Sequence, residues 1–441
     1  MNPYPEYVNS GLSWLGKIPK HWKAKRLKYL AQANQEALPE STANNYEFNY
    51  VDIGNVGLEE GLKLGERINF ANAPSRARRI VRNGDTIVST VRTYLKAVAH
   101  IDFEPKDIVC STGFAVISPG AVLAPKFLYY ILRSEKVIDR VEALSVGVSY
   151  PAINASELMG IAAWYPPSLD EQKDIADYLD RKTAQIDALI LKKEKLIELL
   201  KEERAAIINQ AVTKGLDSKV ALKNSSIPWL GKVPKHWRIE KLKFNARVRF
   251  SNVNKKTEEG EIPVKLCNYV DVYYNSEIGS DIAFMEASAS LEEINKFQLK
   301  AGDVLITKDS EEWTDIAVPA HVGVDMPNLL CGYHLAQIRS GSRLNGNFLF
   351  WLLSSNQINY QFKIEASGVT RYGLSNYALD NSIILLPSIE EQQEIANFLK
   401  AKTAQIYVQI TTENKAIKYL KEYRTALISE VVTGKIDVRE I

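Results

Sequence analysis

The sequence predicts an α+β protein: two mixed α/β modules in tandem repeat, joined by two long antiparallel coiled-coil helices. Three observations carry this. The 441-residue chain contains itself twice at an offset of 215 to 221 residues; each half closes on 46 residues free of Gly and Pro; and each region before that closure holds short apolar runs bounded by Gly or Pro. A repeat of this length is a duplicated module, since solenoid periods run only about 20 to 50 residues.

Taken in order, Trp14-Leu-Gly-Lys-Ile-Pro-Lys-His-Trp22 opens the first module and returns as Trp229-Leu-Gly-Lys-Val-Pro-Lys-His-Trp237, and Leu27-Lys28 returns as Leu242-Lys243. Asn83-Gly84-Asp85 matches Ala301-Gly302-Asp303, Phe127-Leu128 matches Phe348-Leu349, and Gly147-Val148-Ser149 matches Gly368-Val369-Thr370. The strongest match is Pro167 to Ile186 against Pro387 to Ile406. The resulting boundaries are a first module over 1–166, a first helix over 167–216, a second module over 217–386 and a second helix over 387–441. Runs at Asp85 to Val91, Gly113 to Ser118, Gly302 to Thr307 and Ser382 to Leu386 read as strands, and Phe127 to Leu132 and Phe348 to Leu353 as short buried helices.

The long helices span Leu169 to Lys214 and Ser388 to Thr433, each about 65 Å at about 1.5 Å per residue. Their shared apolar positions are Ile190, Ile197, Leu200 and Ile207 on the first, and Ile410, Ile417, Leu420 and Leu427 on the second. That spacing is a heptad-like seam. So narrow a stripe needs a partner helix, and the matching seam belongs to the copy; the alternative is that each helix folds back on its own module. Arg204 and Arg424, at matched positions, read as plain exposed arginines, the alternative being a polar pair that fixes the register of the seam or faces a partner subunit.

Composition narrows the function. Apolar residues make up 46% of the chain, ordinary for a folded protein, and 55 Lys plus Arg against 53 Asp plus Glu leave a formal charge of +2. Any nucleic-acid partner must then be held by locally clustered charge. Cys110, Cys267 and Cys331, an odd number without close spacing, exclude a fully paired disulfide scaffold and a four-cysteine zinc site. No signal-peptide pattern opens the chain and no apolar run approaches the roughly 18 residues of a membrane span, so a soluble cytoplasmic protein is expected.

Catalytic patterns fail on inspection. Gly11 to Lys17 fits a phosphate-loop spacing, but Ile18 replaces the magnesium-holding Ser or Thr, Pro19 follows, and Ser226 replaces the first glycine in the second copy. The segment therefore reads as a structural lead-in to each module. Glu171-Gln-Lys173 resembles part of a nuclease motif, yet Gln393 stands for the lysine in the copy; acidic residues at a helix start are the simpler account. Pro166-Pro167 lacks the preceding Asn or Asp of an amino-methyltransferase. His21, His100, His236, His321 and His334 show no ligand spacing. Neither a metal nor a catalytic centre is expected.

Side chains able to read bases cluster in two places per module. After each Gly-Asp turn come Ser89, Thr90, Arg92, Thr93, Tyr94 and Lys96, and in the copy Thr307, Lys308, Asp309, Ser310 and Trp313. A second cluster is Ser149-Tyr150, matched by Thr370-Arg371-Tyr372. Arg and Lys donate to guanine, Asp accepts from cytosine, and Ser or Thr do either, so differing residues at matched positions would read different bases. Arg76, Arg78, Arg79 and Arg82 could contact phosphates. A solvated loop is the alternative for each residue singly. The set gains weight because both loops are polar in both modules.

The duplicated Pro-x-x-x-Glu-Gln helix starts at Glu171-Gln172 and Glu391-Gln392, the Trp-Leu-Gly-Lys-x-Pro-Lys-His-Trp lead-ins and the Gly-Asp turns together resemble the specificity subunit of type I restriction-modification systems, over nearly the whole chain. The resemblance implies two target recognition domains, each reading half of a split site on double-stranded DNA, with the helices setting the spacer. It also implies two methyltransferase subunits that use S-adenosylmethionine and two restriction/translocase subunits that use ATP and magnesium, with no cofactor and no catalysis in this chain. The competing expectation is a coiled-coil adaptor that binds proteins only.

Overall fold

The computed structural model describes residues 2–58, 61–105 and 107–439. The chain divides into two compact units, residues 1–193 with 414–441 and residues 194–413. The division falls inside both long helices and leaves each module of the sequence reading whole. Each unit holds one module, the start of one long helix and the end of the other.

Both helices form over the Gly- and Pro-free stretches, at Leu169–Lys214 and Ile389–Val432. Acidic pairs, Asp170-Glu171 and Glu390-Glu391, sit in their first turns, where the helix dipole favours negative charge. They stop at Gly215 and Gly434, whose φ values of 79° and 70° lie in the left-handed region that glycine adopts freely.

In the first unit an antiparallel sheet runs in the order Val98–His100, Thr86–Ser89, Phe114–Pro119, Ala31–Ala33, and a second sheet in the order Arg67–Asn69, Glu47–Val51, Ile108–Ser111, Ala77–Ile80. The first sheet is buried on both faces, which is why its strands read as continuous apolar runs. Val88, Ala115 and Ile117 point to a core shared with the short helix Pro125–Arg133, whereas Ile87 and Val116 point to a core shared with Val51 and Cys110. In the second unit the sheet order is Ala246–Phe250, Leu335–Ser340, Val304–Thr307, Pro319–Val322, Glu277–Ile278, with a three-stranded sheet of Met285–Ala289, Ile262–Cys267 and Leu329–Cys331. Val304 and Ile306 face the core built on the helix Gly346–Ser354, and Leu305 faces the opposite one. The repeated Gly-Asp turns are structural. Asp85 accepts from the Ser118 hydroxyl at 2.6 Å, and Asp303, 2% exposed, accepts from Gln337 at 2.7 Å and from both Arg339 nitrogens.

The duplicated lead-in and the duplicated helix start prove to be two halves of one anchor. Buried Glu171 accepts from Trp22 Nε1 at 3.0 Å and Tyr4 Oη at 2.9 Å, and lies 3.0 Å from His21 Nε2. Glu391 accepts from Trp237 Nε1 at 3.0 Å beside His236 at 2.9 Å. The adjoining glutamines tie off loop backbone: Gln172 donates to the Pro166 and Val122 carbonyls and accepts from Ala124, and Gln392 does the same with Pro387, Arg343 and Asn345. Each tryptophan also abuts the terminal glycine of the other module's helix, Trp22 against Gly434 and Trp237 against Gly215.

Within each unit the two helix segments run antiparallel. In the first, Trp164 donates to the Val432 carbonyl while Arg424 donates to Asp187 at 3.0 Å. In the second, Gly215 lies beside Glu391 while Arg204 shares a cavity with Lys400, Thr403 and Tyr407. Of the expected seam, Ile190, Ile197, Leu200 and Leu427 are buried, and Ile207, Ile410, Ile417 and Leu420 are half-buried. Toward the helix ends the stripe widens, and Ile208 rather than Ile207 is the deeper residue, at 1% exposed. Arg424 and Arg204 are not the exposed arginines expected. Arg424 is buried against Asp187, and burial pushes the Arg204 guanidinium below its usual range.

Candidate nucleic-acid interface

In the first unit the strand Thr86–Ser89 runs out into the polar loop, and three of the residues proposed to read bases turn inward there. The Ser89 hydroxyl donates to the Val91 carbonyl at 2.6 Å, Thr90 to Gly113 at 2.9 Å, and Thr93 to Ser145 at 2.9 Å. All three hydroxyls are thus taken up in shaping the loop. What they shape is a short 3-10 turn, Thr93–Leu95, flanked by Arg92 and Lys96 at φ 51° and 53°. Side-chain-bearing residues in the left-handed region are strained, and two in one turn hold the outer side chains where ordinary backbone would not. Arg92 and Tyr94 face solvent, and Lys96 is half-buried with Nζ 3.5 Å from Glu142.

The second loop lies directly against the first. Thr93 N donates to the Pro151 carbonyl and Ile153 N to that of Thr90. Ser149 and Tyr150 are exposed, and the Arg92 guanidinium stands 5.0 Å from the Tyr150 ring centroid, a cation–π contact. Residues 58 positions apart thus form one surface pair.

The second unit brings the matching loops together by strand pairing: Asp309 is opposite Gly373 and Ser310 opposite Tyr372. Thr307 and Ser310 are buried, with Thr307 Oγ1 accepting from Val318 N at 3.0 Å. Asp309 lies 3.0 Å from Arg371 Nη2 and 2.7 Å from His334 Nδ1. Lys308 Nζ stands over the rings of Tyr333 at 4.8 Å and Phe250 at 5.3 Å. Thr370, Arg371 and Trp313 are exposed and Tyr372 is half-buried. The arrangement inverts between units. In the first, the arginine comes from the strand loop and its holder from the Gly-Val loop; in the second, the strand loop supplies the carboxylate and the Gly-Val loop the arginine.

Arg76 is exposed near the strand Ala77–Ile80, Arg78 lies 4.8 Å from the Phe70 ring centroid, Arg79 is half-buried and Arg82 pairs with Glu36. Phe250, Tyr333 and His334 were missed by reading along the chain. Strand pairing alone brings Phe250 and Tyr333 to Lys308, and the sequence carries no local mark of that. Among the described residues no group of three or more His, Cys, Asp and Glu could hold a metal ion, and no helix is long and apolar enough to cross a membrane. Burial raises the thiols of all three cysteines, that of Cys110 to about 12, so they are poor nucleophiles.

A family model described as the type I restriction modification DNA specificity domain matches the chain at residues 19–200 and again at 245–419. The chain belongs to that family. This specificity subunit is 25% identical over 342 residues to the type I restriction enzyme MjaVIII specificity subunit of Methanocaldococcus jannaschii, covering 76% of each chain. It is 24% identical over 343 residues to the EcoKI specificity subunit of Escherichia coli K12, covering 76% of this chain and 70% of that one. Its fold matches the HsdS subunit of Thermoanaerobacter tengcongensis with a TM-score of 0.59 at 20% identity, over 95% of this chain and 98% of that one. A chain from a structure concerned with assembly and conformational transition of the type I R-M system matches with a TM-score of 0.76 at 20% identity, over 95% of this chain and 99% of that one. Both family matches run from a module into its long helix, so the recognition module and its helix repeat together. Membership favours DNA recognition over the adaptor reading.

Proposed function

We propose that this chain is the non-catalytic recognition subunit of a type I restriction-modification complex in the cytoplasm, each unit reading one half of a bipartite duplex site. The observation that carries the reading is the pairing of the two polar loops in both units: the Trp–Glu and Gln anchors of the framework repeat, while the surface side chains of the loops differ. Arg92 with Tyr150, and Lys308 with Asp309 and Arg371, would then read different bases from equivalent positions. The long helices would set the spacer between half-sites. Methyl transfer, with S-adenosylmethionine, falls to two methyltransferase subunits, and ATP- and magnesium-dependent translocation and cleavage to two restriction subunits. Exposed apolar side chains on the helices, among them Leu191, Leu199, Val408 and Tyr419, support docking of such partners.

Methylome sequencing of cells with and without this chain, in the presence of its methyltransferase partner, tests the reading. A split motif with a fixed unspecific gap, lost on deletion, is the expected result. Unchanged methylation would overturn it.

A further inference from the structure

Away from the recognition loops, the second unit carries a groove of about 450 Å³ beside the edge strand Ala246–Phe250, lined by Lys243, Arg247, Arg249, Arg339, Ser340 and Arg343 among others. Five cations around one groove is an expensive arrangement. Arg247 stands directly opposite Arg339 in the strand register, and like charges so placed repel. Carboxylates compensate only in part, Asp325 near Arg339 among them. Asp303 is taken up by Arg339, and Glu240 by Arg343 at 3.2 Å. Lys243 donates to a neutral amide, Asn381, and Arg249 to the Lys296 carbonyl, so neither charge is neutralised there. Burial, and after it the nearby charges of Arg247 and Arg339, push the Arg249 guanidinium below its usual range.

The groove also contains unsatisfied polar atoms. Asn245, 4% exposed, lines it with Oδ1 unpartnered, and the buried Ser340 Oγ has no partner either. Both atoms are out of solvent's reach, so the contacts a phosphate would make here come from the guanidinium and ammonium groups. The matching strand of the first unit, Ala31–Ala33, carries Gln32 and no cation, so the feature is peculiar to the second unit.

We infer that this groove seats the sugar-phosphate backbone of duplex DNA, separately from the base-reading loops. The inference rests on the DNA-recognition reading above. A polymer is indicated because Arg247 and Arg249 lie two residues apart on the strand that leads to Lys308, so the row of cations runs on beyond the groove. The same strand ends at Phe250, beneath Lys308 of the recognition loop. Its five residues span roughly 17 Å, about half a turn of duplex, so one DNA molecule can reach both.

The test uses the full chain with its methyltransferase partner, and duplexes carrying either the methylome-derived site or a scrambled one. Affinity is measured from about 50 to 200 mM salt. Two lost phosphate contacts lower the slope of log K against log salt by about 1.8, so wild-type affinity falls about 12-fold further than that of the R247Q/R249Q variant over this range. The weakening should be equal on both duplexes, and R247K/R249K should keep the wild-type slope. An unchanged slope in R247Q/R249Q, or a loss confined to the duplex carrying the methylome-derived site, overturns the groove assignment alone. A wild-type complex that binds no duplex takes the recognition reading down with it.

Discussion

Replacing Arg92 separates reading from holding. Its guanidinium is exposed and lies 5.0 Å from the Tyr150 ring centroid, so the stack is worth the solvent-exposed value of about 0.5–1 kcal/mol. A bidentate arginine–guanine contact discriminates by about 1–3 kcal/mol. Arg92→Ala should therefore cost about 5- to 150-fold in preference at one base of one half-site. Tyr150→Ala should cost only about 2- to 5-fold at the same base, because the arginine remains but is no longer held. Tyr150→Phe keeps the ring and should change little. The assay is competition binding by the intact complex, with duplexes substituted one position at a time across both half-sites. Equal weakening on every sequence in Arg92→Ala would make this side chain a phosphate contact, and equal losses in Tyr150→Phe and Tyr150→Ala would refute the stacking role.

Glu171→Ala strands the Trp22 and Tyr4 donors, which are 4% and 2% exposed, at about 1–3 kcal/mol each; calorimetry should show the first unit melting several degrees lower. The matching Glu391→Ala strands one such donor, Trp237, and should cost about half as much. Asp309→Asn weakens a partly exposed ion pair worth up to about 1 kcal/mol, so preference should loosen by up to about fivefold in the second half-site alone, read in the same competition assay. Burial holds the imidazoles of His100 and His321 below their ordinary value of 6.5. The unfolded chain then binds more protons, and stability is lost as pH falls through about 6.5 toward the folded values; the urea midpoint should drop between pH 7 and 5.5, and less so in a His100→Gln, His321→Gln double variant.

The duplication, both long helices and the short helices at Pro125–Arg133 and Gly346–Ser354 were legible because each writes its own period and punctuation locally. The loop regions were legible as places and less so as residues. Ser89, Thr90, Thr93, Thr307 and Ser310 carry the right chemistry, but their hydroxyls and burial are decided by strands and loops far along the chain. His334 and Asp309 meet for the same reason, with nothing between them to announce it. The division into units was hidden too, because it depends on which helix end packs under which module.

That packing has a consequence for how the protein is made. The second unit is one continuous stretch, residues 194–413, and can close as soon as its last helix turn is synthesised. The first unit needs Leu427, Ile428, Val431 and Val432 in its core and Gly434 against Trp22, and these arrive 234 to 241 residues after its own helix segment ends at position 193. At about 5–20 residues per second the nascent first unit waits roughly 12–48 s with that face open. The part translated first is thus the part finished last, and during translation it is the region most in need of a chaperone's cover.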